Sequence, residues 1–326
     1  MKRLLVLIVL ATLAWSGYWA VGAWQLRQAQ EDWFEERRAD GWQADYADLG
    51  VGGFPNRLDT TFTDIALADP GSGLAWQAPV FQILRLSYRP NHLIAAWPET
   101  QSLATPERRA TVESEDMRAS LVLRGGEDRA LERATLVAGT LRLVPETGGA
   151  WALARLNAAA ERTAASPATY RLGLSLDGLA PPGSPRRLPQ TLDAVRLDAT
   201  VAFDAPWDAA AIAARRPQPR RIELDTAEAT WGDLVLRAAG RLDVDAEGRP
   251  EGRIALRAEN WRAILRLAQE TGALPPGVAG TLEDALALAA RLSGESGTLD
   301  MPLDFDDGQI RLGPVPLGPA PRLVIR

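Results

Sequence analysis

The side chains that most often perform chemistry are scarce in this chain. His92 is the only histidine, Lys2 is the only lysine, and there is no cysteine. Zinc and two-histidine iron sites need more histidines, and thiol nucleophiles and iron–sulfur clusters need cysteine. Phosphate loops and Schiff bases need a lysine, and the GxSxG serine elbow is absent. The sequence therefore excludes these mechanisms, and we predict no cofactor, no metal and no enzyme activity.

Acidic residues are plentiful, but their spacing does not define a site. The stretch Asp243–Gly248 matches the first half of a calcium loop, yet Ile254 stands where that loop needs a bidentate acid. An acidic residue beside glycine between two alternating segments predicts a hairpin turn instead. Paired carboxylates for glycoside hydrolysis stay open, because no pair is singled out. His92 precedes a strand without an identifiable partner, which favours a turn or surface role.

The aromatic residues allow three readings. Tryptophan occurs 11 times. The six tryptophans beyond position 50 would stack on sugars, line a lipid groove or fill the core: Trp76, Trp97, Trp151, Trp207, Trp231 and Trp261. Core packing is favoured, because tryptophan is highly buried on average.

The N-terminal segment has the composition of a membrane span. Lys2 and Arg3 precede a run without charge from Leu4 to Trp24. At ~1.5 Å per residue this run is long enough to cross a ~30 Å hydrocarbon layer. Positive residues stay in the cytoplasm, so the bulk of the chain would lie on the far side. The residues expected in the membrane are Leu4, Leu7, Leu10, Trp15, Trp19 and Trp24.

A cleaved signal peptide is the competing interpretation, with Val21-Gly22-Ala23 as its cleavage site. The apolar run is longer than a signal core of ~7–15 residues, and no helix breaker separates it from the polar segment that follows. We therefore predict an uncleaved signal-anchor at 1–24, a helical extension at 25–40 and a periplasmic β-rich domain at 41–326. Two sub-lobes would meet near 165–190. The predicted location is the bacterial inner membrane, as a single-pass protein with a cytoplasmic N-terminus.

The body of the chain alternates apolar and polar residues. Leu172, Leu174 and Leu176 alternate with polar neighbours, and so do stretches at 195–203, 234–244 and 299–305. Such alternation is typical of antiparallel strands with one dry face. Helices are expected at Trp207–Ala214, after Asn260 and after Thr281. The predicted fold is mainly β with a few helices (α+β): an N-terminal transmembrane helix and then a long, curved antiparallel sheet.

A sheet with one apolar face must cover that face. The cover would be a second layer of the protein, the helices at 260–292, or bound lipid. For the third case the expected groove-lining residues are Leu234, Leu236, Leu242, Ile254, Leu256, Leu299, Met301 and Leu303.

The order of several landmarks resembles the alphaproteobacterial family called domain of unknown function 2125. They are Gly53–Leu58, Trp76–Pro79, Tyr88–Ile94, Val112–Ser120 and Gly308–Pro314. The resemblance implies an envelope protein and supplies no catalytic residues. A more distant resemblance, to AsmA-like envelope proteins, involves Trp231–Asp245, Gly252–Leu256 and the helix at Trp261. It implies one anchoring helix and a long curved sheet with an apolar groove.

The leading hypothesis is a membrane-anchored periplasmic protein whose sheet binds or passes lipid during envelope biogenesis. Its partners would be the bilayer and a lipid ligand or envelope proteins. The net charge of −6 argues against nucleic acid. A non-catalytic envelope scaffold is the alternative, and a carboxylate-dependent glycan hydrolase is the third.

Overall fold

The computed structural model describes residues 1–126, 128–182, 191–270, 297–313 and 315–325, with positions 280, 283, 286 and 287. Two compact units divide the chain. The first comprises Met1–Leu123 and Leu136–Ala150, and the second comprises Arg124–Thr135 and Trp151–Arg326.

The first unit begins with the long helix α1 and continues with short and medium strands. Its elements are α1 (Lys2–Ala39), β1 (Gln43–Asp45), β2 (Asp48–Gly52), β3 (Asp59–Asp69), β4 (Leu74–Arg85), β5 (His92–Ala96), β6 (Thr100–Ala104), β7 (Arg109–Ser114), β8 (Arg118–Leu123) and β10 (Leu141–Pro145). Strand β9 (Leu131–Ala138) has residues in both units. Strand β3 pairs antiparallel with β1, β2 and β4.

The second unit is a meander of longer strands. Its elements are β11 (Trp151–Leu153), β12 (Arg155–Arg162), β13 (Thr169–Leu179), β14 (Leu192–Phe203), α2 (Ala209–Ala214), β15 (Pro219–Trp231), β16 (Leu234–Val244), β17 (Pro250–Glu259), α3 (Trp261–Glu270), β18 (Thr298–Asp306), β19 (Gln309–Leu312) and β20 (Val315–Pro319). From β12 to β20 each strand pairs antiparallel with the next one along the chain.

The C-terminal part of α1 covers the sheet of the first unit. Phe34 is only 1% exposed, and its ring lies 4.7 Å from that of Tyr46 and 5.5 Å from that of Phe62. This stretch is helical because it is rich in Gln, Glu and Arg, and Arg27 pairs with Glu31 one turn away. The helix ends at Ala39, just before Gly41, whose φ of +86° a glycine adopts readily.

Short turns join the long strands of the second unit. Asp307 and Gly308 have φ values of +50° and +70° and close a two-residue hairpin between β18 and β19. This geometry matches the twist of the flanking strands, and an acidic residue followed by glycine tolerates it well. The five-residue turn before β17 is held by Asp245, whose carboxylate accepts the backbone N–H groups of Glu247 and Arg249.

The predicted fold class is confirmed: the chain is mainly β, built on a large antiparallel sheet, with few helices and a long apolar helix at its N-terminus. Strands β9 and β10 are separated by a bend at 139–140. Asn260 precedes α3 with a φ of +56°, a left-handed rather than the extended conformation usual for a capping residue. The helix expected after Thr281 and the sub-lobe junction near 165–190 lie partly outside the described residues.

Candidate functional site: an apolar sheet face

One face of the second unit carries apolar side chains in register across eight strands. Leu174 lies opposite Leu197, which in turn lies opposite Ala227. Further along, Leu256 lies opposite Met301. Because neighbouring residues on a strand point to opposite faces, these registers place the alternating apolar residues together. We call this surface, on strands β12–β19, the apolar face.

A bulge keeps β15 in phase with the apolar face. Asp198 pairs with Thr226 while Ala199 pairs with Leu224, so Asp225 is an extra residue in β15. Leu224 and Ala227 are three residues apart and still share one face. A regular strand would have turned one of them to the opposite face.

Both ends of the apolar face are covered. At one end, Trp261 and Leu265 of α3 pack on Ala258, Leu299 and Met301, and Trp261 is 2% exposed. At the other end Tyr170 is 1% exposed, and its hydroxyl donates to the carbonyl of Leu131 at 3.1 Å. The ring of Phe203 lies 6.0 Å from that of Tyr170 and 5.6 Å from that of Trp207. These ends resemble an ordinary protein core.

The middle of the apolar face is only half-buried in the part of the chain that the structure describes. The large side chains in this state are Leu172, Leu174, Leu176, Val195, Leu197, Ile222, Leu224, Leu236 and Leu256. Two positions of the same face, Gly240 and Gly252, carry no side chain and lie opposite Ile254 and Leu242. The aliphatic side chains of this face suit a hydrocarbon chain better than a polar substrate.

The opposite face is polar and carries a ladder of Arg–carboxylate pairs between neighbouring strands. These pairs are Arg171–Asp198, Arg196–Asp177, Arg221–Asp243, Arg237–Glu228, Arg237–Glu259, Arg241–Glu223, Arg253–Asp304 and Arg257–Asp300. The Arg171 guanidinium lowers the pKa of the Asp198 carboxyl by hydrogen bonding. Solvent-exposed pairs of this kind contribute little stability each, so the ladder mainly marks the water-facing side.

The predicted groove residues all lie on strands β16–β18 of the apolar face. Five of them are buried: Leu234, Leu242, Ile254, Leu299 and Met301. Leu236, Leu256 and Leu303 are half-buried. Their role as groove-lining residues stays a prediction. Sequence reasoning missed that the less covered part of the face extends over β13–β15, although the alternation at 172–176 and 195–203 signals it.

The residues that drew attention for chemistry have structural partners. The Nε2 atom of His92 lies 2.9 Å from the hydroxyl oxygen of Ser120 on the neighbouring strand. Asp243 is paired with Arg221, and Asp245 holds its hairpin turn. Among the described residues, no group of three or more His, Asp or Glu side chains is arranged to hold a metal ion. Of the six tryptophans, Trp231 and Trp261 are buried and Trp151 is exposed.

A cavity of about 410 Å³ opens on the first unit. Its lining includes Asp64, Gln77, Thr100, Gln101 and Ser102. Gln101 is buried, and its side-chain oxygen accepts the indole N–H of Trp76 at 2.6 Å. Ile65, Ala66, Ala78 and Pro79 also line it, and this mixture of polar and apolar groups does not specify a class of ligand.

Helix α1 is the one described helix that is long and apolar enough to cross a membrane; its best 18-residue window has a mean hydropathy of 2.0 and none of it is buried. Leu4, Leu7, Leu10 and Trp24 are exposed along it. This makes α1 a candidate membrane anchor.

A candidate anchoring helix followed by a large antiparallel sheet with one apolar face defines a class of anchored, β-rich protein. The sequence matches, over residues 19–321, the family domain of unknown function 2125, described as an uncharacterized protein conserved in bacteria. The chain belongs to that family, as its landmarks had indicated. Neither the curated proteins nor the solved structures contain a significant match.

Proposed function

We propose that the protein is anchored in the bacterial inner membrane by α1, with its N-terminus in the cytoplasm and its bulk in the periplasm. There the apolar face of the second unit binds an acyl-chain lipid and serves lipid transport in envelope biogenesis. The anchor supports this proposal because it would keep the protein beside a source of lipid.

One observation carries the proposal: most large side chains in the middle of the apolar face are half-buried, while both of its ends are packed. Covering apolar surface releases ~25 cal/mol per Å². Each half-exposed leucine therefore stands to gain on the order of 1 kcal/mol from a bound hydrocarbon chain. A row of such side chains across β13–β16 favours an extended ligand over a compact one.

Two neighbouring residues of β13 provide a matched test. Leu174 lies on the apolar face, and Ser175 lies next to it on the polar face, opposite Arg196. The chain has no cysteine, so Leu174→Cys and Ser175→Cys each give a unique thiol. Each full-length variant would be labelled with a photoreactive maleimide in membranes, irradiated, and analysed for adducts by mass spectrometry.

We expect lipid adducts at position 174 and far fewer at position 175. Equal lipid labelling at both positions, or none at position 174, would contradict lipid binding. Adducts at position 174 that consist only of protein would instead support the scaffold alternative, in which the apolar face packs on an envelope partner.

The absence of an enzyme activity stays a prediction. One pair on the polar face weighs against the hydrolase alternative: the hydrogen bond from Arg171 lowers the pKa of the Asp198 carboxyl, whereas a general acid needs a raised pKa.

A further inference from the structure

Helix α1 is fastened to the first unit partway along its apolar run. The indole N–H of Trp15 donates to the carbonyl of Pro55 at 2.9 Å, and that of Trp19 donates to the carbonyl of Arg57 at 2.6 Å. The hydroxyl of Tyr18 donates to the carbonyl of Ser87 at 3.3 Å. We call residues Gly53–Leu58 the 53–58 turn.

The position of these contacts along the helix limits the depth of the turn. A hydrocarbon layer of ~30 Å takes about 20 helical residues, which from Leu4 reach to about Ala23. Trp19 lies roughly 6 Å, and Trp15 roughly 12 Å, before that end of the span at ~1.5 Å per residue. If α1 crosses the bilayer, the turn that binds both indoles lies on the outer side of the membrane and dips below the headgroups into the outer part of the hydrocarbon layer.

Four backbone carbonyls of the 53–58 turn accept hydrogen bonds within the protein. The carbonyls of Pro55 and Arg57 accept the two indoles. The carbonyl of Gly53 accepts the N–H of Arg57 at 2.8 Å, and that of Asn56 accepts the N–H of Ser87 at 2.9 Å. Carbonyls paired within the protein cost little to move out of bulk water, so this turn is suited to a membrane interface.

The side chains around the turn match the same environment. Phe54 is 54% exposed while one edge of its ring packs on Trp19, at 5.5 Å between centroids. Tyr88 is 58% exposed beside Ser87. Tyrosine and tryptophan are enriched at membrane interfaces, where an apolar ring and a polar tip are both accommodated. Arg57 pairs with Asp59, and its long side chain can reach the headgroup layer.

We propose that the 53–58 turn, together with Phe54 and Tyr88, inserts through the interfacial layer into the outer part of the bilayer that α1 crosses. The first unit is then held against the membrane surface by two elements, the helix and the turn. This inference rests on the proposed anchoring by α1, and it adds that the domain is docked on the lipid rather than tethered at a distance.

The absence of native cysteine allows a direct measurement of depth. The full-length protein would be reconstituted in vesicles of phosphatidylcholine and phosphatidylglycerol, carrying a nitroxide at a single cysteine. Phe54→Cys and Tyr88→Cys test the turn, and Leu10→Cys tests the anchor. Ser72→Cys is the control, because it lies past the far end of β3, a strand whose 11 residues extend for roughly 36 Å.

Accessibility to oxygen relative to a water-soluble nickel chelate rises with depth in the bilayer. We expect a ratio at positions 54 and 88 that is several-fold higher than at position 72 and lower than at position 10. A high ratio at position 10 with equal ratios at positions 54, 88 and 72 would overturn the docking and leave the anchor intact. An aqueous ratio at position 10 would overturn the anchor itself, and the docking with it.

Discussion

The two units of this protein cover their sheets in different ways. In the first unit α1 places Phe34 on the sheet, and the aromatic rings of Tyr46 and Phe62 pack against it. In the second unit the helical cover, including α3, packs on one end of a much longer apolar face. Most of the large apolar side chains between its two covered ends stay half-buried.

The first unit therefore has a packed core around Phe34, whereas the apolar face of the second unit has the composition of a core without its full burial. Packing of side chains on both sides makes a core resistant to change, because any void loses contacts outright. Shortening a side chain on a half-covered face costs less stability than it does in a core. Such a face gains stability when another molecule covers it. The comparison therefore predicts unequal costs for similar substitutions in the two units.

The largest expected effect is at the centre of the first unit. Phe34→Ala should destabilise β3 by ~3–5 kcal/mol, because it leaves a cavity among packed rings. Leu174→Ala on the apolar face should cost only about 1 kcal/mol, because its side chain is half-buried. Hydrogen exchange of peptides from β3 and from β13 measures the free energy of opening of each unit separately.

Similar costs for the two substitutions would break this comparison. A cost of ~3 kcal/mol or more at Leu174 would mean that the apolar face is covered as tightly as a core. Repeating the measurement on delipidated protein distinguishes a cover of lipid from one of protein, since only the first is removed by the treatment.

A glycine pair tests how closely the strands of the apolar face are packed. Gly252 has a φ of +138°, and a Cβ there would overlap the backbone oxygen of Arg241 on the neighbouring strand. Gly252→Ala should therefore cost roughly 2–3 kcal/mol. Gly173→Ala, in β13, should stay within about 0.5 kcal/mol, because nothing lies near its Cβ position. Urea unfolding followed by tryptophan fluorescence measures both, and equal costs would contradict the close approach.

The elements that the sequence predicts well are those with unbroken patterns. The charge-free run from Leu4 predicts α1, and the alternation at 172–176 predicts β13. Strand β15 escapes the same reasoning because its bulge at Asp225 shifts the apolar positions from even to odd numbers. A period-two pattern read from sequence breaks at such a position, while the three-dimensional face continues.

The candidate site is less predictable, because coverage is a non-local property. Alternation shows that Leu236 and Leu242 share a face, but only tertiary packing makes the second buried and the first half-buried. Trp15 and Trp19 are a similar case. Their type predicts an interfacial position, whereas their hydrogen bonds to the 53–58 turn join residues about 40 positions apart in the chain.

A buried tyrosine should make the packed end of the apolar face sensitive to alkali. Burial raises the pKa of the Tyr170 hydroxyl, so the unfolded chain, with a pKa of about 10, ionises first. Stability is then fully present below pH ~10 and is lost as the pH rises toward the folded pKa. Tyr170→Phe should lower the free energy of unfolding by about 1 kcal/mol at neutral pH, because it removes the hydrogen bond to the Leu131 carbonyl. The variant should also lack the loss of stability in alkali.

Urea midpoints at about pH 8 and pH 10.5 measure the loss of stability in alkali for the unsubstituted protein and for Tyr170→Phe. If the two proteins lose the same stability between these pH values, Tyr170 is not the group responsible. The decline would then arise from other residues that ionise in alkali.

The smallest effect expected is in acid, at an ion pair beside this tyrosine. Hydrogen bonds from Arg162 and then Arg124 lower the pKa of the Glu132 carboxyl below its ordinary range. The stabilisation is present above the unfolded pKa of about 4.3 and is lost as the pH falls through the lower folded pKa. Glu132→Gln removes the ionisable carboxyl. The difference in urea midpoint between the unsubstituted protein and this variant should therefore narrow from pH ~6 to pH ~3.

Glu251→Gln, at an exposed position of β17, provides the matched control, and narrowing of the same size there would show that the Arg162 and Arg124 contacts are not the cause. A constant gap for Glu132→Gln would mean that these contacts do not persist in solution. Because Glu132 is about a third exposed, its effect should remain small beside that of the buried Phe34. The second unit would then owe its stability to the packed ends of its apolar face, with its charged groups adding little.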